Sequence, residues 1–108
     1  MKGFGQGGMQ ALMKQANQMQ MRMKKLQEEL ATREFESASG GGAVKVIIMG
    51  DLKIKSVDIQ AEVISSGDKD MLQDLILTAV NEAVRVAKTT SDTEMGKITG
   101  GFSVPGMV

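Results

Sequence analysis

The sequence predicts an α+β fold: a long N-terminal helix, a three-stranded antiparallel meander and a second long helix, assembled as a homodimer with projecting helices. Three observations support it. Met9, Leu12, Ala16, Met19, Met23, Leu26 and Leu30 recur at alternating steps of three and four, the spacing of a coiled-coil seam. Between Phe35 and Gln60 the apolar residues alternate at the period of a strand. From Leu72 onward two neighbouring apolar stripes run at helical spacing.

The elements follow in order. Residues 1–8 are rich in glycine and read as a flexible arm. Helix one is expected from about Met9 to about Thr32, where Met, Leu, Gln, Lys and Glu favour helix. Lys24/Glu28 and Lys25/Glu29 stand at i,i+4. Phe35 opens a short strand that ends at Gly40-Gly41-Gly42, a run able to take the positive φ of a hairpin loop. Val44, Val46 and Ile48 line one face of the second strand, and Ile47 and Met49 make its other face apolar too. Gly50-Asp51 is the next turn. The third strand is expected from Leu52 to about Gln60. Its apolar parity changes between Ile54 and Val57, as a β-bulge near Lys55-Ser56 would produce.

Ser65-Ser66-Gly67-Asp68 then announces helix two, with Asp68 as its N-cap and Asp70 in its first turn. Leu72, Leu75, Ile76, Ala79, Ala83, Val86 and Ala87 form one stripe, and Leu77, Val80 and Val84 form another. Together they are wider than one face of a three-stranded sheet requires. The excess, with the small size of the folded part, points to a partner subunit. Ile47, Leu77, Val80 and Val84 are the expected interface residues. The folded domain is expected over 9–89, with a loosely ordered tail over 90–108.

Composition removes several functions. The 108 residues contain no cysteine and no histidine, which excludes disulfides, Cys/His zinc sites and an imidazole base. The aromatics are Phe4, Phe35 and Phe102, too few for a single-strand reader that stacks bases. Glu28/Glu29 and Asp68/Asp70 have no aromatic wall to raise a carboxyl pKa, so no catalytic constellation can be assembled and no enzyme is expected. Gly3-Phe4-Gly5-Gln6-Gly7-Gly8 matches a phosphate-binding spacing, but no strand precedes it to aim a pyrophosphate, and no cofactor is expected. Lys2 is followed by no apolar run and no segment is apolar enough to span a bilayer. The expected compartment is therefore the cytoplasm, with no membrane partner and no small-molecule substrate.

The zero net charge hides an asymmetry. Residues 1–33 carry six cations against two anions, and the remainder carries seven against eleven. Lys14, Arg22, Lys24 and Lys25 lie off the seam of helix one and face outward. A sticky seam with a positive outer face suits pairing with a partner and touching a polyanion.

These pieces, in this order, resemble the YbaB/EbfC family of bacterial nucleoid-associated proteins. The likeness rests on Leu12-Met13-Lys14-Gln15-Ala16-Asn17-Gln18-Met19-Gln20 and Leu26-Gln27-Glu28-Glu29-Leu30 in helix one, and on Val44-Lys45-Val46 in the central strand. In helix two it rests on Asp68-Lys69-Asp70-Met71-Leu72-Gln73-Asp74-Leu75 and Asn81-Glu82-Ala83, and in the tail on Thr99-Gly100-Gly101 and Pro105-Gly106. The resemblance implies a small homodimer whose helices project like tweezers and bind double-stranded DNA with low or modest sequence preference in the nucleoid. On that footing Lys14, Arg22, Lys24 and Lys25 inherit the DNA contacts, and Arg85 and Lys88 do so more weakly. The competing reading is a coiled-coil adaptor or holdase-like protein that grips apolar partners with its Met-rich helix.

Overall fold

The computed structural model describes residues 6–99: α1 (Gln6–Ala31), β1 (Glu34–Ser39), β2 (Val44–Met49), β3 (Ile54–Ile59), α2 (Ala61–Ser65) and α3 (Lys69–Thr99). The strands form one antiparallel sheet in the order β1-β2-β3. All three glycines of the first hairpin take positive φ, as the turn requires. In the β2–β3 pairing Ile47 faces Ser56 and Ile48 faces Ile54, so Lys55 is the extra residue of a bulge. The parity change in the sequence marked that place.

One face of the sheet is the core. Phe35, Val44, Val46 and Ile48 are buried there against Ala79, Ala83 and Ala87 of α3. The alanines let the helix axis come close to the strands. At that distance the buried Ser37 hydroxyl donates to the Ala79 carbonyl and Ser39 donates to the Leu75 carbonyl, each at 2.6 Å. Two buried hydroxyls are thereby satisfied, and β1 is tied to α3. Successive contacts descend β1 while they ascend α3, so α3 runs antiparallel to β1.

Asp68 caps α3 as the sequence predicts: its Oδ1 accepts the Met71 N–H at 3.0 Å. Three boundaries and one element differ from expectation. The helix α1 begins at Gln6 and takes in Gly7 and Gly8, because extending an existing helix needs no new nucleus. β3 starts at Ile54 rather than Leu52, since Leu52 adopts φ 69° and its N–H bonds the Met49 carbonyl within the turn. The single turn α2 was not expected; five residues are too few to show a helical period, and only Val63 is buried. Its end is closed by the Ser65 and Ser66 hydroxyls on the Ala61 and Val63 carbonyls. Finally, α3 does not stop near Thr89 but continues to Thr99.

That last stretch is held by α1. The two helices are in contact, and Gln27, Leu30 and Ala31 line one cleft with Ser91, Asp92 and Met95, while farther out Gln15, Gln18, Met19 and Arg22 line another with Ile98. The two helices are therefore antiparallel neighbours. The C-terminal half of the α1 seam is covered, with Leu30 buried and Met19, Met23 and Leu26 partly so. The N-terminal half is bare: every residue from Met9 to Gln18 is exposed. The described residues measure 77 × 25 × 16 Å, the long dimension reflecting these extended helices. Residues 1–5 of the expected arm and 100–108 of the expected tail lie outside the described residues.

The joint between α1 and the sheet is tight at Gly50. A Cβ there would stand 1.8 Å from the Leu30 carbonyl oxygen, and the Gly50 N–H bonds the Arg33 carbonyl at 3.0 Å. Gly50→Ala is expected to destabilise the fold by about 2 kcal/mol or more through overpacking against backbone. The urea midpoint measures this. A chain ended after Thr90 removes the α3 segment beside α1 and uncovers Leu30. Its thermal midpoint, followed by circular dichroism, is expected to fall rather than stay unchanged.

Candidate nucleic-acid interface

The cations of α1 are presented as the sequence predicts in placement, and are freer than it predicts in pairing. Lys14, Arg22, Lys24 and Lys25 are all exposed. The i,i+4 pairs Lys24/Glu28 and Lys25/Glu29 are not closed: among the described residues the ion pairs are Lys53–Asp51, Lys55–Glu34, Arg85–Glu82 and Lys97–Glu94. With lysine at the N-terminal position of each pair, both follow the weaker orientation. The α1 cations therefore stand in solvent and make no ion pair among the described residues. Helical spacing puts Lys14 and Lys25 together on the side turned away from α3, with Arg22 at its edge and Lys24 on the other flank.

The cations of α3 are differently placed. Arg85 grips Glu82 in two bonds, Nη2 to Oε1 at 2.5 Å and Nε to Oε2 at 3.0 Å. Those hydrogen bonds hold the Glu82 carboxyl below its usual range and push the Arg85 guanidinium up. Both side chains are open to solvent, so the pair is a local neutralisation and not a stability element. Lys88 is exposed and makes no ion pair among the described residues. Arg33, at the start of β1, lies over the Phe35 ring at 5.3 Å.

A second surface lies beside α3. The helix packs on β1 and β2, and no residue of β3 is buried. Given the antiparallel run of α3 over β1, the right-handed helix turns its Leu77, Val80 and Val84 flank toward β3. Leu77 is 59% exposed, while Val80 and Val84 are half-buried against the core edge. On β3, the register puts Ile54 and Val57 on the same face as Ile48 and Val46. They are 45% and 43% exposed. The result is an apolar notch walled by α3 and floored by β3.

Three of the four residues expected at the interface therefore share this notch, and Ile47 does not. Its neighbours Val46 and Ile48 face α3, so Ile47 faces the opposite side of the sheet. There Glu36 and Ser56 flank it across the strands. Ile54 and Val57 are exposed apolar residues of this face that the sequence reading did not single out as such. Their signal was present in the bulge, which returns both to the core face of a strand that one helix cannot cover. Among the described residues no group of carboxylates is arranged to hold a metal ion, and no helix is long and apolar enough to cross a membrane.

Comparison with known proteins agrees with this architecture. The model of the YbaB/EbfC DNA-binding family matches residues 5–102. A nucleoid-associated protein of Ruminiclostridium cellulolyticum is 49% identical over 106 residues, covering 97% of this chain and 91% of the relative. Its counterpart in Pelotomaculum thermopropionicum is 48% identical over 101 residues, covering 94% and 96%. A crystal structure of an uncharacterized protein from Helicobacter pylori superposes with a TM-score of 0.68 at 21% identity, over 81% of this chain and 91% of that one. At that identity the likeness concerns the fold.

Proposed function

The chain belongs to the YbaB/EbfC DNA-binding family, and from that premise we propose that it is a nucleoid-associated protein that binds double-stranded DNA as a homodimer. The family is one of DNA-binding proteins and not of enzymes. The observation that supports the DNA surface is the set of exposed, unpaired cations on α1: Lys14, Arg22, Lys24 and Lys25. Those that reach the duplex neutralise phosphates and release counterions. Such contacts position the protein on the duplex without reading its sequence, which gives low or modest specificity. Lys88 is an auxiliary contact. Arg85 contributes less, because Glu82 already occupies its guanidinium.

The dimer is supported by the notch over β3. A second copy seated there covers Leu77, Val80, Val84, Ile54 and Val57 at once. It also presents two α1 arms to one duplex, which doubles the phosphate contacts. Ile47 plays no part in this interface. A second reading, an adaptor gripping apolar partners, draws on the bare seam residues Met9 and Leu12 and on the neighbouring Met13. Salt separates the two, since apolar contact does not weaken as salt rises.

Two outcomes are expected. With about four to six phosphates neutralised, log K falls against log salt with a slope of roughly −4 to −5 on duplex DNA. The triple variant Arg22→Glu, Lys24→Glu, Lys25→Glu loses binding on every sequence while keeping its thermal midpoint. Fluorescence anisotropy at several salt concentrations measures both; undiminished binding by the triple variant removes α1 as the DNA surface. Separately, Leu77→Glu is expected to shift sedimentation from dimer toward monomer with helical content retained, because this exposed side chain contributes little to the protomer's own core.

A further inference from the structure

The cationic side of α1 contains two uncharged residues that phosphate binding does not use. Lys14, Gln18, Met21 and Lys25 are spaced by four, three and four, so they form one stripe; Lys14, Met21 and Lys25 lie on the side turned away from α3, and Gln18 lies at the edge of the stripe, where it also lines a cleft with Ile98. All four are exposed. At 71%, Met21 is the most exposed of the large hydrophobic side chains described. It does not belong to the seam, and α3 does not cover it. A solitary exposed methionine is ordinary. This one sits between two lysines on the surface that faces DNA, with a glutamine beside it one turn earlier.

We propose that α1 lies in the major groove and that Met21 packs on the C5-methyl group of a thymine, while Gln18 bonds the edge of an adenine. The inference rests on the DNA reading given above and adds a residue-level preference to it. Three features support it. The bare stretch from Met9 to Gln18 spans about 15 Å at the helical rise, enough for an arm to enter a groove that admits a helix. Lys14 and Lys25 bracket the stripe roughly 16 Å apart, which places charge on the phosphates at both ends and the uncharged pair between them. The chemistry of the central pair is complementary to A·T: a carboxamide matches adenine N6 and N7, and an apolar group matches the thymine methyl, which no other base carries. Glu28 and Glu29 follow Lys25 and close the stripe by repelling phosphate beyond that point.

A duplex in which uracil replaces thymine tests this, because it removes the methyl group and leaves the base pair. The natural chain, as the full-length protein, is titrated with matched A·T-rich duplexes carrying thymine or uracil. Met21→Ala and Gln18→Ala are titrated alongside. The expected result is about three- to tenfold weaker binding to the uracil duplex, the scale of one or two buried methyl contacts. Met21→Ala bound to the thymine duplex shows the same loss and no further response to uracil. Its salt slope equals that of the natural chain, since no charge is removed. Gln18→Ala retains the uracil response but loses discrimination against 7-deazaadenine. Equal binding of the natural chain to both duplexes, or an unchanged uracil response in Met21→Ala, overturns the inference and leaves the phosphate reading standing. Failure to bind either duplex overturns the DNA reading itself, and this inference with it.

Discussion

The close seating of α3 on the sheet is the contact from which the rest of the molecule follows. Ala79, Ala83 and Ala87 bring helix and strands near enough for Ser37 and Ser39 to reach helix carbonyls. Larger residues at the alanine positions would lift the helix and strand two buried hydroxyls without partners, each costing on the order of 1–3 kcal/mol. The serines fix the axial register of α3 against β1. That register decides where the far end of α3 emerges, and therefore where α1 finds its antiparallel neighbour.

A helix held over β1 and β2 cannot also cover β3. The bulge at Lys55 sharpens the consequence, because it turns Ile54 and Val57 back to the core face after the cover has run out. A single protomer thus has a core that is complete on one side and open on the other. Small domains often meet this shortage of burial by association. The uncovered face of β3 is the physical basis of the dimer proposed above.

Charge is separated along the same architecture. Four of the six cations of residues 1–33 (Lys14, Arg22, Lys24 and Lys25) stand on α1, while the acidic excess lies in residues 34–108. In the DNA complex proposed above, a polyanion meets α1 before it meets the acidic body. The asymmetry also explains how a chain of zero net charge can serve a family that binds DNA. On the proposal above, the local field at α1 governs encounter rather than the sum over the chain.

Much of this was determined by sequence alone. The heptad seam, the period-two strands, the glycine hairpin, the Asp68 cap and the bulge each depend on neighbours within a few residues. Local sterics and hydrogen bonding settle such features wherever the segment finally sits. The outward placement of Lys14, Arg22, Lys24 and Lys25 was legible for the same reason, since a helical period fixes sides before any partner is present. Tertiary structure decided the rest. Whether α3 ends at Thr89 or Thr99 depended on α1 lying beside it, and the polar sequence there gives no sign of that neighbour. Arg85 was diverted to Glu82, while Lys24 and Lys25 stayed free of Glu28 and Glu29, a choice among rotamers that spacing leaves open. Ile47 is as apolar as Val57, yet they face opposite sides of one sheet. Only the position of the helix above that sheet decides which of them lies on the face that α3 shares.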